Sequence, residues 1–147
     1  MTYDNINVQM SATQLAQLKD AIHQVRNLLP FLINITPEEK KKLGRKAHDR
    51  LAFRKYSMQL ALQRPELLPP SISMSEWSND IALYDDLLPI YQNLQQLLEG
   101  LSDTLLALRL EGHQSGILFL NILRAHAKTN TMGIDTMVSR LEEALHS

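Results

Sequence analysis

Residues 74–111 read MSEWSNDIALYDDLLPIYQNLQQLLEGLSDTLLALRLE, and the phase of their apolar side chains decides the fold. Trp77, Tyr84, Tyr91, Leu98 and Leu105 recur every seven residues, and Leu87, Leu94, Leu101 and Leu108 form a second row between them. Two interleaved rows with that period trace one stripe on an α-helix, because seven residues make nearly two turns. Pro89 removes one backbone donor and crowds the carbonyl of Asp85, yet the stripe continues past it. The pattern predicts a single long helix from about Ser73 to Gly112, kinked at Pro89.

Working outward, the segment Pro65–Ser73 carries Pro65, Pro69 and Pro70 and cannot continue a helix. Before it, Thr36 caps, Pro37 takes the first helical position and Glu39 completes a capping box, which predicts a helix from Thr36 to about Gln63. Its apolar residues fall on two faces: Leu43, Ala47, Leu51, Met58 and Leu62 on one, Phe53, Tyr56 and Leu60 on the other. Earlier still, Ser11 and Gln14 form a second box ahead of Leu15, Leu18, Ile22, Val25 and Leu29, and Pro30 ends that helix. After Gly112, the run Gln114–Lys128 is apolar nearly all round, which predicts a buried helix. A short fifth helix, about Asp135–His146, follows Gly133.

The expected architecture is all-α: an antiparallel four-helix bundle with a short fifth C-terminal helix and a long kinked third helix. A chain of 147 residues suits one domain spanning 1–147, with residues 1–10 a flexible lead. Hydrophobic residues make up 44% of the chain but aromatics only 5%, a balance that favours aliphatic helix packing over a β-sandwich.

Composition also narrows the function. A net charge of −1 argues against attraction of the whole molecule to nucleic acid or anionic lipid. The absence of cysteine removes thiol catalysis, disulfides and thiolate metal sites. No basic-then-apolar leader and no run of about 18 apolar residues occurs, so the expected compartment is the cytoplasm and no membrane contact is expected. The five glycines are scattered and match neither nucleotide-binding pattern. A di-iron bundle needs Glu and His three residues apart on each of two helices. The nearest approach is Asp20 with His23, which has no counterpart elsewhere. No metal, cofactor or catalytic residue is therefore expected, and the balance leans away from an enzyme.

Charge is unevenly spread. Between Lys40 and Arg64 nine basic residues face one acid, Asp49, whereas the long helix carries Glu76, Asp80, Asp85, Asp86, Glu99, Asp103 and Glu111 against Arg109. Folding 36–63 back along the long helix brings Arg54 level with Tyr84, near Asp80 and Asp85. Arg54 is in phase with Ala47, Leu51 and Met58, so its charge would be partly desolvated, and an ion pair of Arg54 with Asp80 or Asp85 is expected. The sharper alternative makes Lys40, Lys41, Lys42, Arg45 and Lys46 an anion-binding patch for nucleic acid or an acidic protein. Interleaved aromatics for base stacking are missing from it. His126, on the apolar side of 114–128, and Tyr91 are candidates for a buried polar site.

Several motifs together form a resemblance. Leu29-Pro30-Phe31-Leu32, Thr36-Pro37-Glu38-Glu39, Leu43-Gly44, Pro65-Glu66-Leu67-Leu68-Pro69-Pro70 and Asp103-Thr104-Leu105-Leu106 look like a group of small uncharacterised bacterial helical proteins. The chain departs from that group at Leu43-Gly44-Arg45, where Met-Gly-Asp is usual, and at Gly112-His113-Gln114-Ser115, where Gly-Ser-Glu-Ala is usual. The resemblance implies a bacterial, all-helical protein and no catalytic activity. Together these readings point to a helical interaction or structural protein, with another protein or a second copy of itself as partner.

Overall fold

The computed structural model describes residues 5–46, 51–129 and 132–147, with the side chains of Arg45, Lys46 and Leu51 outside that description. Among the described residues the protein is all-helical. Five α-helices follow in order: α1 (Ala12–Leu28), α2 (Pro37–Lys46), α3 (Leu51–Gln63), α4 (Met74–Ala127) and α5 (Ile134–His146), with a 3₁₀ turn at Pro65–Leu67. The chain forms two compact units, Gln9–Asn93 and Leu94–Ser147 together with Met1–Val8.

The capping chemistry read from the sequence is in place. The Ser11 hydroxyl accepts from the Gln14 N–H at 3.1 Å, and the Gln14 side chain accepts from the Ser11 N–H at 2.9 Å. The Thr36 N–H and hydroxyl each donate to Glu39 at 2.9 Å, and the Glu39 N–H donates back to the Thr36 hydroxyl at 3.2 Å. Each box satisfies N–H groups that the first helical turn leaves without an intrahelical acceptor. Ser73 caps α4 in the same way, its hydroxyl accepting from the Glu76 N–H at 3.2 Å.

The helix expected over 36–63 includes residues 47–50, which lie outside the described residues, and one boundary elsewhere differs from the sequence expectation. Helix α4 does not end at Gly112 but runs unbroken to Ala127, absorbing the separate helix expected at 114–128. The reason is local. Gly112 is not followed by proline, and an interior glycine costs only about 1 kcal/mol against alanine. The leucine-rich turns before it and the Ile117–Leu123 turns after it outweigh that cost. The expected burial of 114–128 is correspondingly one-sided: Leu120 and Leu123 are buried, whereas Leu118, Phe119 and Ile122 are exposed.

Within the unit Gln9–Asn93, α3 lies against the first turns of α4. Arg54, Ser57, Met58 and Ala61 on α3 are half-buried, as are Met74, Trp77, Ile81, Asp85 and Leu88 on α4. Both sets recur every three or four residues, so each is one helix face. In the other unit, α5 covers one side of the end of α4. Ile117, Leu120, Leu123 and Ala127 meet a stripe of Ile134, Val138 and Leu141, and Arg124 bonds Glu142 at 2.6 Å. The Ile6 N–H donates to Glu111 Oε1 at 3.1 Å, which ties the N-terminal stretch to α4.

Leu120 at 3% and Leu123 at 5% exposure are the buried core among the described residues. The accessible surface is 13393 Å².

Gly133, at the start of α5, has φ of +83° with no neighbouring atom near the position a Cβ would take. Only the backbone term operates there. Gly133→Ala should therefore lower stability by about 1–2 kcal/mol. Gly100→Ala, inside α4 and equally unobstructed, should raise it by about 0.5–1 kcal/mol. Urea denaturation followed by circular dichroism reads both, and equal signs would contradict the backbone argument.

Candidate functional site

A concavity lies between α3 and α4. Arg54, Trp77, Asp80, Ile81, Tyr84 and Asp85 line a volume of about 270 Å³. The expected level of Arg54 with Tyr84 is found: the guanidinium sits 4.3 Å from the centre of the Tyr84 ring, a cation–π contact. Asp85 is paired with Lys55, Nζ to Oδ2 at 2.8 Å. Lys55 is one residue along from Arg54, and its longer, more flexible stem reaches the carboxylate from the edge of the interface. The sequence reading expected Arg54 to pair with Asp80 or Asp85 and did not single out Lys55 for Asp85, because spacing places a backbone position but not the reach of a side chain.

Chemically, this cavity combines charged side chains with aromatic faces. It has aromatic faces, two carboxylates and the Tyr84 phenol among its lining residues. Among the described residues no three histidine, aspartate or glutamate side chains come together as metal ligands. Both members of the Lys55–Asp85 pair keep 39% or more of their side-chain surface in water, so the pair contributes about 0.2–1 kcal/mol.

His126 and Tyr91, the residues expected at a buried polar site, lie in different units. Both residues are exposed, Tyr91 at 62%. His126 lies on a side of α4 that α5 does not cover, so its imidazole stays in water. The pocket that α5 does create, beside His113, Gly116, Ile117, Leu120, Leu141, Ala144 and Leu145, is largely apolar.

Of the basic patch, Lys40, Lys41 and Lys42 are exposed on α2, while the side chains of Arg45 and Lys46 lie outside the described part. Glu38 and Glu39 occupy the first turn. They set negative charge at the positive end of the helix dipole, where an external anion would otherwise gain most. The Thr36 backbone N–H, then its hydroxyl, stabilise the Glu39 carboxylate and hold its pKa below the ordinary value of 4.5. The Arg64 side chain does the same for Glu66.

What remains is apolar surface. The α1 stripe Leu15, Leu18, Ile22 and Val25 is exposed along its length, and so is the α4 row Leu94, Leu98, Leu101, Leu105 and Leu108. No family model matches the chain, and no curated protein or solved structure is similar to it.

A carboxylate whose pKa is lowered on folding stabilises above its unfolded value, and that contribution is lost as pH falls through the folded value. The Thr36 amide resonance should therefore titrate with a midpoint below 4.5, and α2 should fray as Glu39 protonates. Glu39→Gln keeps an acceptor but removes the titration, and should flatten this acid limb. An unchanged limb in that variant would reassign it.

Proposed function

We propose that this protein is a non-catalytic helical assembly protein of the bacterial cytoplasm, which works by presenting apolar helix faces to protein partners, a second copy of itself among them. The observation that carries the reading is the leucine row of α4: Leu98, Leu101 and Leu105 stand 66%, 55% and 58% exposed within a helix whose apolar phase is unbroken. Leucines in a regular seven-residue row are what a helix uses against another helix. The same chain offers the stripe of α1, equally regular and equally uncovered.

Energetics support association. A standard protein–protein interface buries about 800 Å² on each partner. Apolar surface on this scale, at about 25 cal/mol per Å², is a strong drive to find a partner. In the assembled protein the stripes are covered in an antiparallel four-helix bundle, with the kink at Pro89 letting α4 follow its neighbours.

A second reading has one observation in its favour, the exposure of Lys40, Lys41 and Lys42 together on α2. It makes α2 an anion-binding element for nucleic acid. Binding of that kind weakens steeply with salt, so retention on heparin that disappears at moderate ionic strength is its signature.

For the leading reading, the mass of the purified protein by light scattering should be at least twice 16.8 kDa. A mass of 16.8 kDa at every concentration measured would defeat self-association.

A further inference from the structure

We infer that the cavity between α3 and α4 binds a small organic ammonium ion, an amine nitrogen carried on an apolar body. The inference does not rest on self-association. Arg54, Trp77, Asp80, Ile81, Tyr84 and Asp85, which line the cavity, all belong to the unit Gln9–Asn93, so the site is complete within that unit. Its volume of about 270 Å³ falls just below the range of about 300–1,000 Å³ usual for small-molecule sites, which limits the ligand to a small one.

The chain itself shows what these walls accept. Along α4 a ring and a carboxylate occur together twice, as Trp77 with Asp80 and as Tyr84 with Asp85. At the Tyr84–Asp85 end both groups hold cations from α3. The Arg54 guanidinium lies 4.3 Å from the centre of the Tyr84 ring, and Lys55 Nζ lies 2.8 Å from Asp85 Oδ2. The Trp77–Asp80 end repeats the ring and the carboxylate with no base to match. Residues 71–93 contain no lysine, arginine or histidine, and neither do residues 57–63 of α3. The base that follows α3, Arg64, is bonded to Glu66. Helices α3 and α4 thus supply two cations to one end of the cavity and none to the other.

Burial follows the same division. Trp77 and Ile81 are half-buried, whereas Asp80 is exposed, so the apolar lining lies deeper than the carboxylate. An apolar body entering the cavity releases water from Trp77 and Ile81. Its ammonium group then donates to Asp80 beside the indole, the ring that attracts a cation most strongly. An anion of the same shape would meet the Asp80 charge directly, and a neutral analogue would gain burial alone.

The test uses the full chain with phenethylamine as probe. Trp77 is the only tryptophan in the sequence, so its fluorescence reads the cavity directly. Phenethylamine at neutral pH should shift that emission saturably. Phenethyl alcohol, equal in size and uncharged, should bind about two- to fivefold more weakly, and hydrocinnamate should not bind. Asp80→Asn should weaken the amine by a similar factor and bring it level with the alcohol. Asp86→Asn removes the same charge nearby but outside the cavity lining, and should leave binding unchanged. Saturation-transfer NMR, observed on the probe, measures binding without the tryptophan, and by it Trp77→Leu should cost about two- to fivefold. Far-UV helicity checks that each variant is folded.

Equal affinity of the natural chain for the amine and the alcohol, or saturable binding of neither, would overturn the site with no variant needed. Equal weakening in Asp80→Asn and Asp86→Asn would assign the effect to general attraction and overturn it too. None of these results bears on the mass of the protein, so the self-association proposal stands or falls separately.

Discussion

An α-helix satisfies its own backbone but never its own apolar side chains, and this asymmetry governs the protein. In α4 the internal backbone hydrogen bonds hold the element together through Gly112 and around Pro89. Its leucine row gains nothing from those bonds. Each leucine left in water forgoes about 1.5–3 kcal/mol relative to full burial. The same holds for α1, whose capping box and regular stripe make a well-formed helix with no buried residue. Local structure is complete here well before apolar burial is.

Where burial does occur it is organised as two small helix pairings. Helix α3 meets α4 through alanine, methionine and the Arg54–Tyr84 contact, with Lys55–Asp85 at the edge. Helix α5 meets the end of α4 through aliphatic residues, with Arg124–Glu142 at the edge. In both cases the ion pair sits at the rim, where it selects register more than it adds stability. The opposite charges of the 40–64 segment and the long helix are thus used, in part, inside the chain. That weakens the case for a basic surface kept for nucleic acid, as does the pair of glutamates guarding the start of α2.

The functional reading follows from this division of surface. A catalytic site needs polar groups brought together in a sheltered place. The sheltered place between α3 and α4 holds aromatic rings, with the Arg54 guanidinium over the Tyr84 ring and Asp85 paired with Lys55. Apolar rows, by contrast, are long, regular and uncovered. The proposed role in helix-to-helix recognition rests on these rows.

Much of this was legible in the order of residues. The two capping boxes at Ser11 and Thr36, the proline connector, the heptads of α4 and the level of Arg54 with Tyr84 all come from spacing, because caps and stripes depend on neighbours a few residues away. What spacing left open was decided by longer-range packing. Continuation of α4 beyond Gly112 turned on whether flanking turns outweigh a glycine. The exposure of His126 turned on which side of α4 the last helix covers. The partner of Asp85 turned on the reach of Lys55 against the ring that holds Arg54. Helix formation is a local competition and can be read along the chain, whereas burial depends on which elements meet, and only the tertiary structure decides that.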